Sequence, residues 1–224
     1  MTTVEPAHTR RGAIGRRNRL TLGRCSLLAL ALLVVAMAVT TTYRSDSEAA
    51  SGAKPKFVAA EYGADTYGAK VVPAIKKNAV QITTLHKAMA ADSEAAGRTY
   101  GHRAGTGPYS YAVTLTGTAG AARGGLMQVS VPGLDKIRVS VQIGPAVNGT
   151  ALRDAPGFIT FGQFTNQVDY ADAATALNTE MKTKLLKTFD PVAVKGKEVT
   201  VTGAMTPLTA DLLTITPISI EAAS

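Results

Sequence analysis

Residues 109–116, YSYAVTLT, set Tyr109, Tyr111, Val113 and Leu115 in alternation with Ser110, Ala112, Thr114 and Thr116. A period of two marks a strand with one buried face, and it decides the fold class because the pattern before it repeats at about four. Downstream the alternation continues. Leu126 to Val131 interleaves Gln128 and Ser130, and Ile137, Val139, Val141 and Ile143 alternate with Arg138, Ser140 and Gln142. Val199 and Val201 alternate with Thr200 and Thr202, and Leu213 and Ile215 open a last run. The glycine-rich stretch 117–125, GTAGAARGG, reads as a hairpin between the first two strands.

Upstream, from Phe57 to Gly97, the pattern is helical. Phe57, Ala60, Ala64, Tyr67 and Val71 share a face, Pro73 interrupts, and Ile82, Leu85 and Met89 recur at helical spacing. Asp92 is placed to cap a short further helix closed by Gly97. Between the third and fourth strands, Tyr170, Ala174, Leu177, Met181 and Leu185 make an apolar stripe. Asp169 and Asp172 lie in that helix's first turn and Lys182, Lys184 and Lys187 in its last, as the macrodipole prefers. The order predicts an α+β, mainly β chain: an OB-like five-stranded barrel with a helix between strands 3 and 4 plugging one end, preceded by N-terminal helices. A twisted open sheet packed on helices is the alternative.

Of 224 residues, 46% are apolar, enough for a real core and too many for general disorder. The net charge of +8 suggests nucleic acid until it is located. Residues 1–43 hold six arginines against Glu5 alone, +5 in all, which leaves +3 spread over 44–224 without a dense basic stripe. No nucleic-acid partner is expected. From Cys25 to Tyr43, CSLLALALLVVAMAVTTTY carries no charge, and nineteen helical residues reach about 28 Å against a hydrocarbon core of about 30 Å. With the arginines ahead of it, this segment reads as a transmembrane signal anchor that leaves the C-terminal domain extracytoplasmic. Cleavage after Ala38 in AMA is the competing reading. The expected divisions are a cytoplasmic basic tail over 1–24, the anchor over 25–43, a linker over 44–56 and an extracytoplasmic domain over 57–220. Cys25, the single cysteine, excludes an internal disulfide.

The segments YGHRAGTGPYSYAVTLTG (100–117), VQIGPAVNGTALRDAPGFITFGQFTNQVDYADAATALN (141–178) and GKEVTVTGAM (196–205), in this order, resemble the predicted periplasmic lipoprotein family known as domain of unknown function 2291. The resemblance covers about residues 57–220. It implies an extracytoplasmic bacterial protein attached to the membrane and, because such proteins are described beside sugar ABC-transporter components, an accessory role in sugar transport. It supplies no catalytic residues. The chain departs from the pattern at its anchor: Cys25 precedes the apolar run instead of following it, so a transmembrane helix would replace the lipid.

The central segment holds the candidate site. Arg153-Asp154 could present a guanidinium and an acceptor to a sugar or carboxylate, or tie down the loop around them. Asn166, Gln167 and Tyr170 offer amides and an aromatic face suited to carbohydrate, but Thr165 or Asn166 also stands where a helix N-cap belongs and Tyr170 begins the buried stripe. His86 and His102 lie on different elements with no ligand partner at metal spacing, so no metal or other cofactor is expected. Asp169 and Asp172 share one helix turn and cannot straddle a glycosidic bond. The expectation is a non-enzymatic binding or accessory module for a protein partner in a sugar transporter complex or a small polar ligand. The alternatives are an envelope carbohydrate-active enzyme and a structural subunit of a membrane transport complex.

Overall fold

A computed structural model describes residues 22–40, with side chains from 29, and 56–223. The chain forms two compact units, Met1–Ala53 and Lys54–Ser224. The first contains α1 (Leu22–Thr40), whose side chains over 29–40 are all exposed. Among the described residues no helix is long and apolar enough to cross a membrane. The described side chains of α1 cover about 18 Å at 1.5 Å per residue, against about 30 Å of hydrocarbon. Residues 41–43 of the expected span, with most of the basic tail and nearly all of the linker, lie outside the described residues.

The second unit begins with α2 (Ala59–Thr66), which passes through a π-helical turn (Tyr67–Val71) into α3 (Val72–Asn78). Pro73 was expected to interrupt the helix. The helical run continues through it instead, and the π turn just before it, by widening the spacing of the backbone bonds, accommodates a residue without an N–H. Then follow β1 (Val80–Gln81), α4 (Ile82–Ala91), α5 (Ser93–Tyr100) and β2 (Gly101–His102). Asp92 caps α5 by accepting from the amides of Glu94 and Ala95, as expected, but the helix continues through Gly97 to Tyr100.

The alternating runs become β3 (Ser110–Arg123), β4 (Leu126–Ser130), β5 (Arg138–Gln142), β6 (Glu198–Met205) and β7 (Leu212–Ala222). Most of the stretch expected as a hairpin is strand, and the turn itself is only Gly124-Gly125. Pairings run in a cycle: β3 with β4, β4 with β5, β5 with β7 in parallel, β7 with β6, and β6 back to β3. Between β5 and β6 stand α6 (Ala151–Asp154) and α7 (Gln167–Met181), the latter extended by a π-helical turn, Lys182–Leu186. On its other side, the first half of β3 pairs with β1 and β2.

Two cores result. The inward residues of the strands (Val113, Leu115, Met127, Val141, Val201, Ile215) form one, together with Ile82 and Leu85 of α4. The other lies outside the strands, where Ala112, Ala204 and Ile218 meet Tyr67, Val71 and Ile75 of the first helices, Leu152 of α6, and Tyr170, Leu177 and Met181 of α7. This corrects the expected plug. The helix between strands 3 and 4 covers an outer face, and α4 supplies the side chains that join the inner core. Leu85→Ala should therefore lower unfolding free energy by about 3 kcal/mol in chemical denaturation, since a fully buried leucine leaves a cavity. Leu208→Ala, at an 88% exposed position, should change it by less than about 0.5 kcal/mol.

Candidate functional site

The segment from β5 to α7 is fixed before it reaches the candidate residues. Gln142, at the end of β5, donates to the Asn148 carbonyl (3.1 Å) and to Thr216 Oγ1 (2.8 Å) while accepting from the Asn148 amide (3.0 Å). Asn178 of α7, itself buried, donates to the Gly149 carbonyl at 2.9 Å. Thr150 then opens the single turn of α6, with its carbonyl accepting from the amides of Arg153 and Asp154.

Arg153 and Asp154 close on each other with little exposure, 7% and 12% for their side chains. Arg153 Nε donates to Asp154 Oδ1 at 2.8 Å and Nη2 to Oδ2 at 3.2 Å, a two-point contact. Nη1 donates to the Tyr170 carbonyl at 3.0 Å, and the guanidinium stacks 3.6 Å from the centre of the Tyr170 ring. Tyr170 Oη completes the set by donating to Asp154 Oδ1 at 3.3 Å. Burial, and then the Asp154 carboxylate, raise the Tyr170 hydroxyl above its ordinary value, so it remains a protonated donor. Around it Phe57, Tyr62, Phe161 and Phe164 form an aromatic cluster with centroids 5.3–5.7 Å apart.

Two of these rings, Phe161 and Tyr170, reach a cleft of about 220 Å³. Its walls are Asp154 and Tyr170, then Thr160 and Phe161 from the loop after α6, and His102, Arg103 and Gly105 from the loop after β2. Phe161 is 49% exposed. The His102 ring lies against Gly157, whose φ of +79° already favours glycine; a Cβ there would meet the ring at 2.6 Å.

Three of the five candidates, Arg153, Asp154 and Tyr170, thus come together. Asn166 caps α7: its Oδ1 accepts from the Asp169 amide at 2.9 Å and its Nδ2 donates to the Asp169 carboxylate. Gln167 is exposed at the start of α7 and does not line the cleft. Sequence reasoning missed Arg103, Thr160 and Phe161 and treated His102 only as a failed metal ligand. The available signal was the polar, glycine-rich GHRAGTG (101–107) beside a strand. Among the described residues, no group of three or more His, Cys, Asp or Glu could hold a metal ion.

What the cluster can do follows from its lone pairs. Among the described residues Asp154 Oδ1 has two donors, whereas Oδ2 has only Arg153 Nη2 and keeps an acceptor position free. Asp154→Ala should lower stability by about 3 kcal/mol, because it strands a buried guanidinium, whereas Arg153→Met with Asp154→Leu should recover most of that loss in the same denaturation assay. Stability linked to Tyr170 should hold below about pH 10, its unfolded value. It should fall as pH climbs through the raised folded value, and Tyr170→Phe should make the alkaline loss shallower, the remainder coming from Tyr62, Tyr67 and Tyr111, which burial also raises.

No curated protein matches the chain. Among solved structures it is similar to an OB-fold protein from Thermotoga maritima, at a TM-score of 0.64 and 15% identity, over 75% of this chain and 99% of that one. At that identity the likeness speaks for the fold alone, and it agrees with the order of three strands, helix and two strands. A family model described as predicted periplasmic lipoprotein matches residues 28–221, nearly the whole chain and all three segments that carried the resemblance. The chain belongs to this family of predicted periplasmic lipoproteins, domain of unknown function 2291.

Proposed function

We propose that this protein is a membrane-tethered, extracytoplasmic, non-enzymatic binding module whose cleft takes a small hydroxylated ligand of the sugar class. One observation carries the reading: a carboxylate held rigidly by Arg153 and Tyr170 keeps one acceptor position open beside the exposed ring of Phe161. A sugar hydroxyl supplies the donor that Oδ2 lacks, and the apolar face of the sugar ring suits the aromatic surface. Such a site binds rather than cleaves. Of the residues lining the cleft only Asp154 is a carboxylate, and glycoside hydrolysis ordinarily needs an opposed pair.

The anchor is the uncharged segment 25–43, with the arginines of 10–24 on the cytoplasmic side and the five strands closing as a barrel outside. An accessory role beside a sugar ABC transporter is the partner reading consistent with both. A C-terminal alkaline phosphatase fusion should be active, and the chain should stay with membranes through a carbonate wash. A full-length fusion that accumulates but stays inactive would overturn the topology, because the enzyme needs disulfides that the cytoplasm does not form.

For the ligand, thermal melts of the full chain in detergent should be run against pentoses, hexoses and linear polyols. A ligand at a hundredfold excess over its Kd should raise Tm by about 5 °C or more. Asp154→Asn and Phe161→Ala should abolish the rise. If no member of the panel raises Tm, the sugar reading fails.

A further inference from the structure

The loop between β2 and β3 supplies Arg103, Ala104 and Gly105 to the wall of the cleft, and its construction is unlike that of the other walls. Both of its feet are seated firmly. At one end the His102 ring lies against Gly157, and at the other the Tyr109 ring lies where any Cβ on Gly97 would have to be. One carboxylate joins the two feet. Glu94, in the first turn of α5, accepts from Tyr109 Oη at 3.1 Å and from Arg103 Nη1 at 3.5 Å, with Arg103 Nη2 at 3.4 Å. The Arg103 guanidinium also lies 4.4 Å from the centre of the Tyr109 ring, which completes a small closed circuit.

Between those feet the tie to the body is weak. Residues 103–106 are exposed, the turn is braced from within by the Gly107 amide on the Ala104 carbonyl at 3.1 Å, and Gly105, at φ +58°, has no atom within 4 Å of where its Cβ would stand. Glycines at 105 and 107 allow the backbone to change conformation at small cost. A segment fixed at both ends, free in the middle and forming one wall of a cleft is built to open and close over it.

We infer that residues 103–108 are a strap gating the cleft of Asp154 and Phe161, and that Glu94 is its latch. The inference deepens the binding reading and rests on it for the identity of what is gated. Glu94 touches no ligand. It sets how often the strap leaves the closed position by holding Arg103 and Tyr109 together. Its contacts are half-exposed, so each is weak and the latch can release readily at ordinary temperature.

The test uses the full chain in detergent, first without ligand. Exchange of the Gly107 amide, the bonded amide of the strap, should speed up by about three- to tenfold in Glu94→Ala, the size expected for losing two or three exposed charged contacts, while exchange in β3 stays unchanged. Glu94→Gln keeps an acceptor for Tyr109 and should fall between. Equal strap exchange in all three proteins overturns the latch, as does loss of protection spreading through α5 and β3. The second arm joins Gly105→Cys to Thr160→Cys in a Cys25→Ser chain with a bis-thiol reagent whose spacer contains a reducible disulfide, because nothing stands within 4 Å of a Cβ at 105 and a direct bond would be too short. Crosslinking should lock the cleft, so that a saccharide found by the Tm panel binds only after reduction; equal binding to the locked form overturns the gate. If the panel yields no saccharide, the sugar reading falls, while the exchange measurement still decides whether the strap and latch exist.

Discussion

Ala112, Ala204 and Ile218 point away from the strand-enclosed core, and the strands that carry them would show water an apolar face if nothing lay on it. Covering that face is the constraint on which the remaining architecture depends. The helices at the start of the domain and those between β5 and β6 form a second layer there, giving the domain two cores. Because α6 and α7 belong to this outer layer, the chain must leave β5, cross the surface and return to β6. The crossing is where Arg153, Asp154 and Phe161 sit. The site is thus a by-product of how the outer face is covered, and Gln142 and Asn178 make it rigid by fastening the crossing at Asn148 and Gly149, just ahead of α6.

The strands were legible because alternation reports burial directly: Val139 and Val141 face in and Arg138 out, whichever neighbours they have. The helix over 167–181 was legible for the same reason, with Asn166 and Asp169 marking its start. Other features do not follow from periodicity. An apolar stripe says that a helix has a buried side but not what lies opposite it, so the stripe of α7 was expected in the inner core that α4 in fact joins. Pro73 looked like a break because its usual conflict with the preceding turn is removed by a local change of helix type, which leaves no mark in composition.

The candidate site divides in the same way. Arg153 and Asp154 are neighbours in sequence, and Tyr170 stands one short connection away, so their clustering could be anticipated. His102 and Arg103 arrive from some fifty residues upstream, carried by the two-residue pairing of β2 with β3, and nothing local announces their destination. Of the two purposes weighed for Arg153 and Asp154, the bonds drawn between them and Tyr170 serve the structural one. Both residues are satisfied within the fold, and one oxygen is left over.

The short pairings of β1 and β2 with the first half of β3 carry a further consequence. Two residues apiece are too few to add much to the core. They occupy backbone donors and acceptors that another copy of the chain could otherwise zip onto, at a strand rich in alanine and threonine. In a crowded envelope compartment, with molecules confined to one membrane plane, such a cover acts as a guard against self-templated aggregation.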